Sequence, residues 1–172
     1  MMMSVNGSKS TQGRFSMSKK IVLIDGHSIL NRAFFGVPPL TNSEGLHTNA
    51  VYGFLNIMFK ILDEEKPDYL TVAFDRSEPT FRHQMFDAYK GTRKPMAEEL
   101  RQQVPVIKEV LEAMNISTIE KAGLEADDLL GTLSRMCEES GMDVSIISGD
   151  RDTLQLATEH VKIRIPKTKQ GK

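Results

Sequence analysis

The feature that most constrains the fold is a set of strand segments that have no polar face. In "KIVLID", four consecutive apolar residues occupy positions 21–24, and "YLTVAFD" and "DVSIIS" have similar apolar runs. A strand that is apolar on both sides is buried on both sides, which is typical of a parallel sheet between helices. The sequence therefore predicts an α/β fold with a parallel sheet covered by helices on both faces.

Helices are predicted between these strands. Apolar residues recur at three- and four-residue spacing from Thr48 to Leu62, and Pro67 follows the end of that segment. Pro105 suits the first turn of a second helix, and Gly141 suits the C-cap of a third that starts near Glu125. Residues 36–47 read as a loop, "ISTIE" as a short strand, and residues 152–158 as a short helix. "VKIRIP" alternates in polarity and so predicts an edge strand.

The chain of 172 residues suits one domain with a real core. Residues 1–17 are rich in Ser, Gly and Met and predict a disordered leader, residues 18–166 form the domain, and residues 167–172 are a basic tail. No apolar run has the roughly 20 residues that cross a bilayer, and no secretory signal is present, so we expect a cytoplasmic protein. The single cysteine, Cys137, excludes an intramolecular disulfide and cannot build a zinc site alone.

Carboxylates follow the buried strands and begin the third helix. Parallel strands point their carboxyl ends to one edge of the sheet, so we expect these side chains to converge there. Such a group of like charges would repel and raise the pKa values of its members unless a multivalent cation offset them. The seven residues are Asp25, Asp75, Glu125, Asp127, Asp128, Asp150 and Asp152.

Each acidic residue taken alone also suits a purely structural role. An aspartate after a strand commonly forms a turn, and acidic residues in a first helical turn are favoured by the helix dipole. Taken together, a set of oxygen ligands without His or Cys favours Mg²⁺ or Mn²⁺ over zinc. A pair of such ions suits the hydrolysis of a phosphodiester. The four histidines show no metal-ligand spacing and are predicted to face solvent or to be satisfied locally.

A basic and aromatic segment, called the basic arm below, spans residues 76–94. It holds five Lys and Arg residues against two acidic residues, a local charge of +3 in a chain of net charge -1. Aromatic residues alternate with these cations, as in surfaces that bind a single nucleic-acid strand. The alternative is a solvated loop whose aromatic side chains fold back onto the core. Lys90 or Arg93 could neutralise a scissile phosphate.

Six motifs together resemble the 5'-to-3' nuclease domain of bacterial DNA polymerase I. They are "LIDGHSILNRAFF", "AVYGFL", "TVAFD", "FRHQMFDAYKGTRKP", "GLEADDLLGTL" and "IISGDRDTLQL", in family order and spacing from about residue 19 to residue 166. The resemblance implies a PIN-like (resolvase-like) fold with a helical arch insertion, related to flap endonucleases. It also implies a divalent-metal-dependent 5'-to-3' exonuclease or flap endonuclease that removes DNA flaps and RNA primers in replication and repair.

The resemblance also implies roles for individual residues. The seven carboxylates match the family's metal ligands, which hold two Mg²⁺ or Mn²⁺ ions in the complete domain. Lys90 and Arg93 match catalytic residues at the scissile phosphate, and Tyr89 matches an aromatic residue that stacks on bases. Arg82 and Lys94 are further candidates for DNA contact. A bacterial, nucleoid-associated monomer, continuous with polymerase domains, is implied.

The sequence departs from the family pattern after "PKTKQGK". Family nuclease domains continue into a further aspartate pair and a helix-hairpin-helix that grips duplex DNA. We therefore expect the amino-terminal part of a longer protein or a fragment, with weak or absent binding of a second metal ion and slow or undetectable cleavage. Three alternatives stay open: a catalytically silent DNA-binding module, a PIN-type ribonuclease, and an aspartate phosphatase. The last is disfavoured because His27 stands where a second aspartate is needed.

Overall fold

The computed structural model describes residues 18–86 and 95–166, except for the side chains of residues 83 and 84. The strands are β1 (Lys20–Asp25), β2 (Tyr69–Ala73), β3 (Ser117–Ile119), β4 (Asp143–Ile147) and β5 (Val161–Arg164). The helices are α1 (Gly26–Gly36), α2 (Asn49–Glu65), α3 (Phe81–Met85), α4 (Glu98–Arg101), α5 (Gln103–Ala113) and α6 (Ala126–Glu139). A short 3-10 helix spans Arg151–Leu156.

The five strands of the described segments form one parallel sheet in the order β3-β2-β1-β4-β5. The central strand is β1, so its carboxyl end lies between the carboxyl ends of β2 and β4. This topology confirms the predicted α/β fold, and β5 lies at an edge as its alternating sequence predicts.

Helices cover both faces of the sheet. Val22 and Ile24 of β1 pack in a core with residues of α1, α2 and α5. Ile21 and Leu23, which point the opposite way, pack with residues of α6. Because each face has its own core, positions 21–24 of β1 are all apolar.

The prediction that β2 is buried along its whole length is wrong for its first half. Tyr69 is 43% exposed, and within β2 only Val72 and Ala73 are buried. The reason is the neighbouring strand, because β3 pairs only with Thr71–Ala73. The start of β2 therefore extends beyond the strand on its outer side.

The beginning of α2 is capped by a side chain from a distant part of the chain. Thr48 at the N-cap makes no side-chain cap bond, whereas Gln103 Oε1 accepts hydrogen bonds from Ala50 N at 2.8 Å and Val51 N at 3.2 Å. Gln103 Nε2 also donates to Asn49 Oδ1 at 3.0 Å. Gln103 is fully buried and so ties the segment after the basic arm to α2.

Several predictions concern residues that the structure does not describe. The leader over residues 1–17 and the basic tail over residues 167–172 lie outside the described residues, as do positions 87–94 of the basic arm. In the described segments, no helix combines the length and apolar character that a membrane span needs.

Candidate functional site

Asp25 lies at the centre of the site, at the end of β1 and at the N-cap of α1. Its Oδ1 accepts a hydrogen bond from Ser28 N at 3.0 Å, and its Oδ2 accepts one from Ser148 Oγ at 2.8 Å. Asp25 is 5% exposed, and this burial raises its pKa to about 6 despite those bonds. The charges of Asp127 and Asp75 contribute to the rise of the Asp25 pKa. Carboxylates from β1, from the segment after β2 and from α6 thus act on one another.

Asp75 connects the end of β2 to the start of α6. Its Oδ1 accepts a hydrogen bond from Ala126 N at 2.7 Å, and its own amide donates to His27 Nδ1 at 3.1 Å. Burial lowers the pKa of His27, which favours the neutral ring, and because Nδ1 accepts this hydrogen bond the neutral ring carries its proton on Nε2. This contact agrees with the prediction that His27 is satisfied locally.

The first turn of α6 presents three carboxylates with different surroundings. Asp128 Oδ2 accepts from Glu125 N at 3.0 Å, which caps the helix. Arg82 donates two hydrogen bonds of 2.7 Å to the same carboxylate, one from each terminal nitrogen. Asp128 therefore has a structural role at the start of α6, which is the alternative predicted for acidic residues in a first helical turn. Glu125 is 7% exposed.

Asp150 and Asp152 follow β4 and begin the 3-10 helix. Asp150 Oδ1 accepts a hydrogen bond from Asp152 N at 2.9 Å, as in an aspartate turn. Asp152 lines a cleft of about 600 Å³ that is also lined by Arg82, Glu125, Asp127 and Asp128. The cleft places one cation of the basic arm directly beside the acidic residues.

The acidic residues do not form a ready-made metal cage. Across residues 18–86 and 95–166, no group of three or more His, Cys, Asp or Glu side chains is placed to hold a metal ion. Mg²⁺ commonly uses only one or two carboxylates and keeps several waters. The oxygen-only donor set and the mutual repulsion at Asp25 fit such a hydrated ion.

The structure adds residues that the sequence pattern does not show. Ser148 donates a hydrogen bond to the Asp25 carboxylate, and Ser28 Oγ accepts one from Gly149 N. Thr132 and Arg135 of α6 line the cleft. The only sequence signal for Ser148 is its place at a strand end, directly before Gly149. The predicted roles of Tyr89, Lys90, Arg93 and Lys94 fall outside the described residues, so they stay predictions.

The family model for the 5'-3' exonuclease, N-terminal resolvase-like domain matches residues 20–171. The chain belongs to this family. The match covers all five strands and every acidic residue of the site, and it confirms the resemblance drawn from the six motifs.

Proteins with similar sequences support the assignment to this family. It is 50% identical over 155 residues to DNA polymerase I of Bacillus caldotenax, covering 90% of this chain and 17% of that protein. It is 48% identical over 153 residues to DNA polymerase I of Caldicellulosiruptor bescii, covering 89% of this chain and 18% of that protein. It is 40% identical over 148 residues to a 5'-3' exonuclease of Aquifex aeolicus, covering 86% and 51%. The chain thus spans about a sixth to a half of the length of these relatives.

Solved structures show the same fold. A bacteriophage T5 5'-exonuclease with bound zinc ions matches with a TM-score of 0.65 and 22% identity, over 84% of this chain and 54% of that one. A bacteriophage T5 flap endonuclease complexed with DNA and metal ions matches with a TM-score of 0.64 and 21% identity, over 84% and 54%. The predicted PIN-like architecture of the exonuclease family is therefore confirmed.

Proposed function

We propose that this chain carries the metal-binding carboxylates of a divalent-metal-dependent 5' nuclease that hydrolyses phosphodiester bonds in DNA. One observation carries the proposal: burial raises the pKa of the Asp25 carboxyl to about 6, and Asp127 and Asp75, from separate parts of the chain, lie close enough for their charges to raise it further. Folding places these like charges together, and the hydrogen bonds that Asp25 accepts come from the neutral donors Ser28 N and Ser148 Oγ. A divalent ion is the partner that makes this arrangement favourable.

We propose that one or two of Asp25, Asp75 and Asp127 hold a hydrated ion, and Asp150 and Asp152 after β4 are further candidates. Their oxygen-only chemistry favours Mg²⁺ or Mn²⁺. When bound, such an ion would supply charge neutralisation at the phosphate and activation of the attacking water. The chain's own contribution is to hold the carboxylates in place: Asp25 through Ser28 and Ser148, and Asp75 through the first amide of α6.

The substrate that we propose is DNA with a 5' flap or an RNA primer on DNA. Arg82 lies in the cleft with its guanidinium 4.5 Å from the centre of the Phe81 ring, so a cation and an aromatic face stand at the edge of the acidic site. Because Arg82 is paired with Asp128, a phosphate would have to replace that carboxylate to bind here, while a base could stack beside Phe81. Beyond the described residues, Lys90 and Arg93 are proposed to neutralise the scissile phosphate. Tyr89 and Lys94 are proposed to contact the strand.

Cleavage of a fluorescent 5'-flap DNA in Mg²⁺ or Mn²⁺ tests the proposal. We expect slow cleavage by the wild-type chain and none by Asp127→Asn, because that change removes one charge from the metal site. Asp143→Asn is the matched control, since Asp143 is a partly exposed aspartate at the opposite end of β4. Equal cleavage by all three proteins would refute the proposal.

The same assay separates the alternatives. Binding of flap DNA without any cleavage by the wild-type chain would favour a silent DNA-binding module. A preference for unstructured RNA over flap DNA would favour a PIN-type ribonuclease.

A further inference from the structure

The hydroxyl of Ser148 lies between two parts of the acidic site. Ser148 follows β4 directly and is fully buried. Its Oγ donates to Asp25 Oδ2 at 2.8 Å and accepts from Asp150 N at 3.0 Å. A single side-chain oxygen therefore connects the carboxylate at the end of β1 to the backbone of the aspartate after β4.

The strand register explains why this connection forms. Ile24 of β1 pairs with Ile147 of β4, so the next residues, Asp25 and Ser148, lie side by side where both strands end. Neighbouring parallel strands are about 4.8 Å apart, which is a distance that a hydroxyl and a carboxylate can bridge. The register thus fixes the partner, and the hydroxyl is the donor because an ionised carboxylate only accepts hydrogen bonds.

Ser28 strengthens the same junction from the side of α1. Its Oγ accepts a hydrogen bond from Gly149 N at 2.8 Å and lies 3.4 Å from Ser148 Oγ. Its backbone amide donates to the other oxygen of Asp25. Both oxygens of Asp25 are therefore held by neutral donors, and each keeps a lone pair for a further partner.

We propose that Ser148 is a positioning residue that sets the orientation of Asp25 relative to Asp150 and thereby the affinity of the site for a divalent ion. The inference rests on the proposed metal-dependent function. Partners that hydrogen-bond to metal ligands typically change metal affinity by about 10- to 100-fold when they are removed. Ser148 is placed to act in this way because its Oγ lies 2.8 Å from Asp25 Oδ2, closer than to the other acceptor, Ser28 Oγ at 3.4 Å.

Ser145→Ala is the matched control for Ser148→Ala. Ser145 is also a buried serine, located within β4, but its Oγ donates to Glu65 Oε2 at 3.2 Å, on the face of the sheet that α2 covers. Both variants lose one buried hydroxyl from the same segment, so both lower the stability of the metal-free protein. Of these two serines, only Ser148 touches a proposed ligand.

The test is the dissociation constant of Mn²⁺, measured on the intact chain by electron paramagnetic resonance of the free ion. We expect Ser148→Ala to raise this constant about 10- to 100-fold, Ser145→Ala to change it less than about threefold, and Ser148→Thr, which keeps the hydroxyl, to stay near the wild-type value. Thermal unfolding without metal, followed by circular dichroism, verifies that each variant is folded.

The outcomes separate the inference from the function on which it rests. A wild-type constant in folded Ser148→Ala overturns the positioning role alone, and so does an equal loss of affinity in Ser148→Ala and Ser145→Ala. Failure of the wild-type chain to bind Mn²⁺ overturns the proposed metal site and this inference with it.

Discussion

Arg82 donates two parallel hydrogen bonds of 2.7 Å to Asp128, from Nη1 to Oδ2 and from Nη2 to Oδ1. The paired geometry holds the carboxylate in one plane, which a single contact would not do. One residue of the basic arm is thereby fixed to the first turn of α6. Arg82 and Asp128 are both partly buried, so water screens the pair less than it screens an exposed ion pair.

A double-mutant cycle should detect this pair in the free energy of unfolding. We expect Arg82→Ala and Asp128→Asn to couple by about 1–2 kcal/mol, because hydrogen bonds between charged groups are stronger than neutral ones. Urea denaturation gives the free energies of unfolding of the wild type, the two single variants and the double variant, from which the coupling is calculated. Arg135 and Glu139 are the control pair, exposed and 3.9 Å apart, with an expected coupling of about 0.3 kcal/mol. Equal coupling in the two pairs would show that the paired geometry adds nothing.

Asp25 should make the metal-free protein less stable as pH rises. The folded pKa of about 6 lies above the ordinary value of 3.8, so the folded state binds the proton more tightly than the unfolded chain. Its stabilising effect is complete below about pH 4 and is lost as pH rises through about 6. The difference between these two pKa values corresponds to a change of up to about 3 kcal/mol in the free energy of unfolding. Asp25→Asn should remove this part of the pH dependence, as measured by urea denaturation at several pH values.

Asp143 provides a control because its pKa is shifted in the opposite direction to that of Asp25. A hydrogen bond from Ser18 and a second contact with His160 hold its pKa below the ordinary value. The stability that Asp143 supplies is therefore present above about pH 4 and is lost as pH falls. If Asp25→Asn and Asp143→Asn shift the profile in the same direction, the assignment of the Asp25 pKa is wrong.

Gln103→Ala should destabilise the domain by about 2–4 kcal/mol, because it leaves two buried amides at the start of α2 without an acceptor. Chemical denaturation measures the loss. Gln102→Ala is the control, since Gln102 is exposed and its side chain makes one long contact of 3.4 Å with Glu98. A loss below about 1 kcal/mol for Gln103→Ala would mean that water replaces the missing acceptor.

Two helical glycines should respond to alanine in opposite directions. A Cβ at Gly53 would lie 2.8 Å from both Ala33 Cβ and Val37 Cγ2, so α1 and α2 would have to separate, at a cost of about 1–3 kcal/mol. A Cβ at Gly131 would meet only the flexible Leu156 side chain, at 3.3 Å. Gly131→Ala should therefore be neutral or stabilise by up to about 1 kcal/mol. Thermal denaturation of both variants gives the comparison, and a stable Gly53→Ala would contradict the close packing.

The strands could be predicted because apolar runs such as those of β1 and β4 suit a buried strand better than a surface helix or a loop. Helix α1 could not, because its first residue is Gly26, which is a poor helix former, and its cap is the same Asp25 that ends β1. Strand direction predicts that the carboxylates after the strands lie at one edge of the sheet, and the effect of Asp75 and Asp127 on the Asp25 pKa agrees with this for those three residues. The contact of Ser148 depends on the register between β1 and β4, which the amino-acid pattern does not encode locally.

Positions 87–94 lie between two fixed contacts, that of Arg82 with Asp128 of α6 and that of Gln103 with the start of α2. Both contacts are made by described residues outside positions 87–94. A protein engineer could therefore vary positions 87–94 in a library that keeps both contacts and the proposed metal ligands, with Lys90 and Arg93 retained because they are proposed to neutralise the scissile phosphate. Such a library would ask how the length and charge of this segment change the choice of nucleic-acid substrate.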